Sequence, residues 1–538
     1  MIRLALRLER ASGIGFGATV VLLGAAQAAA FVQLAGSSPA EREAFGAQMA
    51  LLGRQLSYLL PLPERVDTFG GYLQWRFVGA LPLLLGLWAV LSATGAARGD
   101  EECGLAEAWL AAGVSRGRLL AARAGGFLLA LALVLATMFG AVLAARNGEP
   151  LDPAGAAGAA AALLALLAVV YAISLVASQL VVTRRGAAGL SLAIVVALFF
   201  ANSFSRGTAG PLGLGRYVSP FALFDRSGPL VPGGAFDVAA TAALALLALA
   251  LGLVAAALAA RRDLGAALLA RPEPARPAVR TPARSALLGT IVGAELRGER
   301  GTLLAWGGAL ALVVLFIGAL ARAAVDAILV LPGFGGYLAA LGGGDPYQAF
   351  FGFMLSGIVA LAVAGYAIVR VGAWGADDAD GRLGAFLAAG VSRSGVVLQR
   401  AAALVIAVAF LGAVTTLASA AGALAAGLEL DGVRLALAGA LLVPLAGAFG
   451  GVGALLLARA PRAATGALGA VAAWSYFSIQ LGPLFHVPDW VLRSSLFDLY
   501  GVPLAGDVRW AGEGALLGSG LLGFGLAAVL MRDRDVGS

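Results

Sequence analysis

Arg98 to Arg123 reads RGDEECGLAEAWLAAGVSRGRLLAAR, and Gly375 to Arg400 reads GADDADGRLGAFLAAGVSRSGVVLQR. The two stretches are copies. Gly113 matches Gly390, Asp100 matches Asp377 and Arg123 matches Arg400, each by one shift (390 − 113 = 277). Leu110 to Arg116, LAAGVSR, recurs unchanged as Leu387 to Arg393. Each copy is a polar island between long apolar runs. The expected local structure is a short surface helix led by acids, Asp100, Glu101 and Glu102 in one copy and Asp377, Asp378 and Asp380 in the other. Carboxylates there would favour the positive end of a helix dipole. Gly113 and Gly390 suit the left-handed residue that ends a helix. Ser115 and Ser392 suit the N-cap of the span that follows.

Outward from these islands the chain is apolar. Mean hydropathy is +0.92; 60% of residues are hydrophobic and 12% charged. Those values define a polytopic membrane protein, with the 76 glycines serving close helix packing. The expected fold is all-α, about twelve transmembrane helices in two six-span halves with added interfacial and coupling helices. The spacing predicts spans at 13–34, 77–97, 119–145, 154–182, 187–204 and 235–260, then 303–324, 350–374, 395–424, 433–457, 465–480 and 514–531. Residues 1–260 form the first half and 285–538 the second. Between them, 261–284 is an extended arginine- and proline-rich linker. A surface helix is expected over 40–59.

Ile2 to Arg10 alternates apolar and basic residues, which suits a helix lying in the membrane interface. Leu296–Arg300 (LRGER) echoes Leu6–Arg10 (LRLER). The 37 basic residues are all arginine and the net charge is +7. The arginines gather in the linker, the docking islands and the tail, which puts both termini on the cytoplasmic side. No soluble basic domain is present to bind nucleic acid. One cysteine, Cys103, and one histidine, His486, exclude a disulfide, a cysteine-rich metal site and a histidine triad within the chain. Without lysine there is no GxxxxGK[ST] phosphate loop. Spans 3 to 6 of the halves hold essentially no buried carboxylate, and Arg322, Asp326 and Arg370 read as snorkelling residues near span ends.

The acidic lead with LAAGVSR, its duplication, and Ser219–Asp225 (SPFALFD) between the fifth and sixth spans resemble the permease of type V ATP-binding-cassette exporters. Two such halves fused in one chain are similar to the large permeases that export polyketide antibiotics or other drugs. The resemblance implies ATPase-coupling residues at Asp100, Glu101, Glu102, Val114, Ser115 and Arg116, and at Asp377, Asp378, Asp380, Val391, Ser392 and Arg393. It implies interfacial elbows carrying Arg7, Arg10, Arg297 and Arg300. It also implies outside re-entrant segments with Pro220, Phe221, Phe224 and Asp225, and Phe497 and Asp498. The chain itself would hold no cofactor, metal or catalytic residue. ATP and Mg would be bound by two partner ATPase subunits, with membrane lipids around a single fused copy in the cytoplasmic membrane. The second copy departs from the first, with Ala379 and Gly384 where the first has Glu102 and Glu107, and with Ser494–Ser495–Leu496 for Ser219–Pro220–Phe221. The competing readings are a twelve-span ion-coupled carrier and an intramembrane lipid enzyme. Missing midplane carboxylates count against the first, and missing polar clusters against the second.

Overall fold

The computed structural model describes residues 2–55, 62–207, 215–268, 290–329, 345–379, 381–388, 390–481 and 494–532. Asp380, His486 and most of the linker therefore lie outside the described residues. The chain divides into two compact units, Met1–Pro277 and Ala278–Ser538.

In the first unit, long apolar runs become α1 (Ile2–Ala35), α3 (Phe69–Glu102), α5 (Arg116–Ala145), α6 (Pro153–Leu180), α7 (Arg184–Gly207) and α9 (Val238–Arg261). Shorter pieces are α2 (Pro39–Gln55), α4 (Leu105–Ala111) and α8 (Pro220–Phe224). The second unit repeats the plan. Its long helices are α10 (Ile291–Ala319), α12 (Pro346–Asp378), α14 (Arg393–Ala425), α15 (Gly432–Arg459), α16 (Pro461–Leu481) and α18 (Trp510–Leu530). Its short helices are α11 (Ala321–Leu329), α13 (Arg382–Ala388) and α17 (Leu496–Tyr500).

Eleven of the described helices are long and apolar enough to cross a membrane. The protein is thus an all-α polytopic membrane protein. The sequence reading counted about twelve spans; the remaining position is α16, a full-length helix that is less apolar than the others. The expected surface helix is α2, described as far as Gln55.

Helix starts follow the polar residues that border each apolar run. Asp152 accepts hydrogen bonds from the Ala154 and Gly155 amides at the head of α6, each at 3.0 Å. Asp431 does the same for Val433 and Arg434 at the head of α15, at 3.0 and 3.1 Å. Such caps satisfy amides that no earlier turn can reach. In the first unit α6 packs on α3, α5, α7 and α9, while α1 lies along α5. In the second, α15 packs on α12, α14, α16 and α18, while α10 lies along α14. The same contact plan is built twice from quite different side chains. An aromatic stack of Trp88, Phe127 and Tyr171 fills the first core (Phe127–Tyr171 centroids 4.6 Å apart). Trp306 meets Tyr366 edge-on in the second.

Bare backbone sets the closest helix approach. A Cβ on Gly451 of α15 would lie 2.3 Å from the Gly520 carbonyl oxygen of α18. One on Gly523 would lie 2.6 Å from the Gly451 oxygen. Only glycine permits that contact.

One expectation is corrected here. The basic stretch at the start of each unit is not an elbow lying across its span. α1 runs unbroken from Ile2 to Ala35 and α10 from Ile291 to Ala319. Arg7, Arg10, Arg297 and Arg300 are exposed on unbroken helical extensions of the spans. At ~1.5 Å per residue, 34 residues far outreach a ~30 Å hydrocarbon core. The reason is Glu9, which is buried and accepts a hydrogen bond from Ser92 on α3 at 2.6 Å. That contact draws the basic stretch onto the bundle.

Candidate functional site: the duplicated docking loops

Each docking loop sits where the second span of its unit hands over to the third. Gly113 (φ +84°) and Gly390 (φ +82°) are left-handed, as the sequence required. The Ser115 and Ser392 hydroxyls accept from the Arg118 and Gly395 amides, at 3.4 and 3.1 Å. Val114 and Val391 close each corner through their amides onto the carbonyls of Trp109 (3.1 Å) and Phe386 (3.4 Å). Chain direction is thereby fixed at the same point in both loops.

The acids are placed differently from the expectation. Asp100, Glu101 and Glu102 do not lead the surface helix; they end α3. Gly104, at φ +74°, breaks the chain before α4 begins at Leu105. In the second unit Asp377 and Asp378 likewise end α12, and Gly381 (φ +75°) precedes α13. Carboxylates at the C-terminal end of a helix oppose its dipole, so other charges must hold them there.

Arginines do so. Arg123 of α5 reaches Asp100 at 3.0 Å and Glu9 of α1 at 3.9 Å, all three buried. Glu101 bridges Arg98 at 3.0 Å and Arg262 just beyond α9. Arg262 also donates to the Gln179 side chain at 2.7 Å, and Arg98 to the Ser178 carbonyl at 2.6 Å. Glu102 stays exposed, and its carboxylate accepts the backbone amide of Arg184, the first residue of α7, at 2.6 Å. It is a helix-dipole cap after all, but for α7 rather than for α4. The first docking loop is therefore bolted to α1, α5, α6, α7 and α9 through three consecutive carboxylates. These acids are not loose in water, so a charge reversal there would cost far more than the ~0.5 kcal/mol of an exposed site.

The second loop uses the same bolt with different dressing. Arg400 of α14 pairs with Asp377 at 2.8 Å and with Glu295 of α10 at 3.1 Å. Arg370 of α12 pairs with Glu295 and reaches Glu299 at 2.6 Å, where the Tyr366 hydroxyl donates at 2.8 Å. Arg370 is therefore an internal ion-pair residue and does not snorkel. Asp378 lines a crevice of about 40 Å³ under α13, with Trp374, Arg400, Phe524 and Met531.

Arg116 and Arg393 turn inward as well. Arg116 donates to the Ala259 carbonyl at 2.8 Å and to that of Arg262, gripping the end of α9. Arg393 donates to the Arg532 carbonyl at 2.8 Å, gripping the end of the second unit's last helix. Cations at helix C-termini are favourable there. Arg322 likewise holds the Ala426 carbonyl at 2.7 Å, and Asp326 accepts from the Tyr347 hydroxyl at 2.5 Å.

At the far end of each unit, Ser219 and Ser495 cap α8 and α17 through the Phe221 and Phe497 amides (3.3 and 3.2 Å). Pro220 occupies the first turn of α8, and Phe221, Phe224 and Phe497 are buried. Asp225 pairs with Arg206 at 2.7 Å and Asp498 with Arg509 at 2.5 Å. The loss of the SPF triplet in the second copy leaves this cap in place.

Sequence reasoning missed Glu9, Glu299, Arg123 and Arg400 as members of the bolt. The signal was present: Asp100/Arg123 and Asp377/Arg400 share the 277 shift, and Glu9 and Glu299 occupy the same place in LRLER and LRGER.

The fold and the bolted loops define a membrane-embedded helical protein of two like units, each with a copy of the duplicated loop between its second and third spans. Residues 288–532 match the family model described as Multidrug efflux system permease Rv1217c, C-terminal domain. With the run of apolar helices, that match fits a drug-exporter permease. A comparison with curated proteins gave no match.

Proposed function

We infer that this chain is the membrane subunit of an ATP-driven exporter, carrying an amphipathic drug, antibiotic or lipid-like molecule out of the cell. Two separately encoded ATP-binding-cassette subunits would seat on the two docking loops, and ATP and Mg would be bound by those partners. One copy of the chain would serve per complex, multi-pass in the cytoplasmic membrane with both termini inside. The observation that carries this reading is the duplicated bolt. A push on α4 or α13 passes through Asp100–Arg123–Glu9, or through Asp377–Arg400–Glu295, directly into the first and third spans. A loop whose acids served only its own helix would have no such lever.

Glu107 and the corner residues Val114 and Val391 sit on the rim a partner would touch. The buried acids set the stiffness of the linkage behind it. The test is co-expression with the neighbouring ATPase reading frame, co-purification, and drug-stimulated ATP turnover in liposomes. A stable complex with stimulated turnover is the expected result. Drug transport driven by a proton or sodium gradient with no ATPase bound would overturn the reading.

A further inference from the structure

Four acidic residues are buried among the described residues: Glu9, Asp100, Glu299 and Glu513. The first three face Arg123 or Arg370. Glu513 is 4% exposed, and neither carboxylate oxygen has a hydrogen-bond partner. It lies in the first turn of α18, at the far end of the unit from the docking loop. An ionised carboxylate buried without a partner costs several kcal/mol, and such a group sheds its charge instead. Within a span, an ionisable group of this kind marks a functional site by default. The sixth span of the first unit, α9, has no acid inside it.

A second observation comes from the helix that faces it. α15 and α18 run parallel, with Gly447 against Gly520 and Gly451 against Gly523. Seven residues back from the first contact stand Ala440 on α15 and Glu513 on α18. Ala440 is the residue whose carbonyl would accept the amide of residue 444 in a regular helix. Residue 444 is proline, inside α15, and has no amide hydrogen to give. Carried back along the two parallel helices, that register sets a freed acceptor, on the exposed Ala440, level with a buried acid that lacks a partner.

Of the titratable groups on the elements packed here, Tyr500 lies within reach of the Glu513 charge, and each has a hydrogen-bond or ion-pair partner of its own. Tyr500 of α17 donates to the Ala438 carbonyl at 2.8 Å. Arg434 pairs with Asp431 at 3.3 Å, and Arg509 with Asp498 and Asp507 at 2.5 and 3.2 Å. On α14 the charged residues, Arg393 and Arg400, sit at the docking end.

We propose that Glu513 is a proton-binding site of the second unit, held as the neutral acid with the Ala440 carbonyl as its acceptor, and releasing its proton to water when the far ends of α15 and α18 part. The step is a plain dissociation: the O–H bond breaks, the electron pair stays on the carboxylate and water takes the proton. It adds a proton to the transport cycle, and it stands or falls independently of the ATPase reading.

The test uses the purified full-length chain in lipid nanodiscs at neutral pH, read by infrared spectroscopy. The difference between wild type and Glu513→Gln should contain a protonated-carboxyl stretch, shifted by isotopic labelling of glutamate in the wild type. Pro444→Ala restores the amide donor to Ala440 and should move that stretch to higher frequency. Gly451→Ala wedges α15 from α18 and should replace it with a carboxylate band. A carboxylate signal from Glu513 in the wild type would overturn the proposal. An unmoved protonated band in Pro444→Ala would overturn the role of Ala440, and its survival in Gly451→Ala would overturn release on parting.

Discussion

The two docking loops share a seven-residue core and differ in how they are tied down. In the first unit, Glu102 accepts the amide of Arg184 at the start of α7. The same shift of 277 carries Glu102 to Ala379 and Arg184 to Pro461, the first residue of α16. Proline has no amide to satisfy, so the carboxylate is lost where its task is lost. Similarly, the Arg98–Glu101–Arg262–Gln179 knot narrows the space under α4 to a crevice of about 20 Å³ with Glu101, Gln179 and Arg262 in its wall. Its second-unit counterparts include Gly375 and Leu456, and the crevice there, about 40 Å³, is walled by Trp374, Leu457 and Phe524. The first loop is tied through three consecutive carboxylates; among the described residues the second is tied through Asp377, which pairs with Arg400 and Arg382, beside a crevice walled by Trp374 and Phe524. Duplication has kept the corner and let the fastening diverge.

The contrast can be broken most sharply at Glu101. Glu101→Gln leaves Arg98 and Arg262 without their carboxylate, both nearly excluded from solvent. Loss of one partner of a buried ion pair costs about 3–5 kcal/mol. Thermal unfolding of the purified chain should show a large drop confined to the first unit, read by hydrogen exchange at α3 and α9. An unchanged unfolding profile, or a drop spread equally over both units, would contradict the role of this knot.

The next comparison sets Asp100→Asn against Asp377→Asn. Arg123 would keep only Glu9 at 3.9 Å, whereas Arg400 would keep Glu295 at 3.1 Å. The first change should cost about 3–5 kcal/mol, as breaking a buried pair does, and the second about 1.5–3 kcal/mol, the range for a hydrogen bond to a charged group. Equal losses by denaturant titration would contradict the difference in bracing.

The smallest effect belongs to Glu102. Glu102→Ala should cost about 1 kcal/mol, as the loss of a cap does. In an Arg184→Pro background it should cost close to nothing, because the amide is gone. A double-mutant cycle with no coupling would remove the explanation for Ala379 and Pro461.

How legible was all this in the sequence? The spans were, because runs of alanine, leucine and valine bounded by Asp152, Asp237, Asp431 or Ser392 leave little freedom in where helices begin. The corners at Gly113 and Gly390 were as well, since a left-handed residue and a serine cap are local events. What escaped were long-range pairings. Asp100 and Glu101 precede an apolar helix in the sequence and so read as its leading acids; only the break at Gly104 assigns them to α3. Arg7 and Arg10 suited an interfacial helix until Glu9 was found held by Ser92. Glu513 stands one residue before the expected start of its span at Gly514, and that boundary put it in water.

The central claim is that the Asp100–Arg123 pair transmits force from the docking loop, beyond merely holding the fold. Replacing the pair by apolar residues, Asp100→Leu with Arg123→Met, and neutralising the buried Glu9 that also faces Arg123 by Glu9→Gln, removes the pair without stranding a charge, a change that is often neutral for stability. Drug-stimulated ATP turnover and drug transport by the reconstituted complex measure what remains. The account predicts an assembled complex with basal turnover intact and drug transport reduced at least tenfold. Wild-type transport from that assembled triple variant would contradict it.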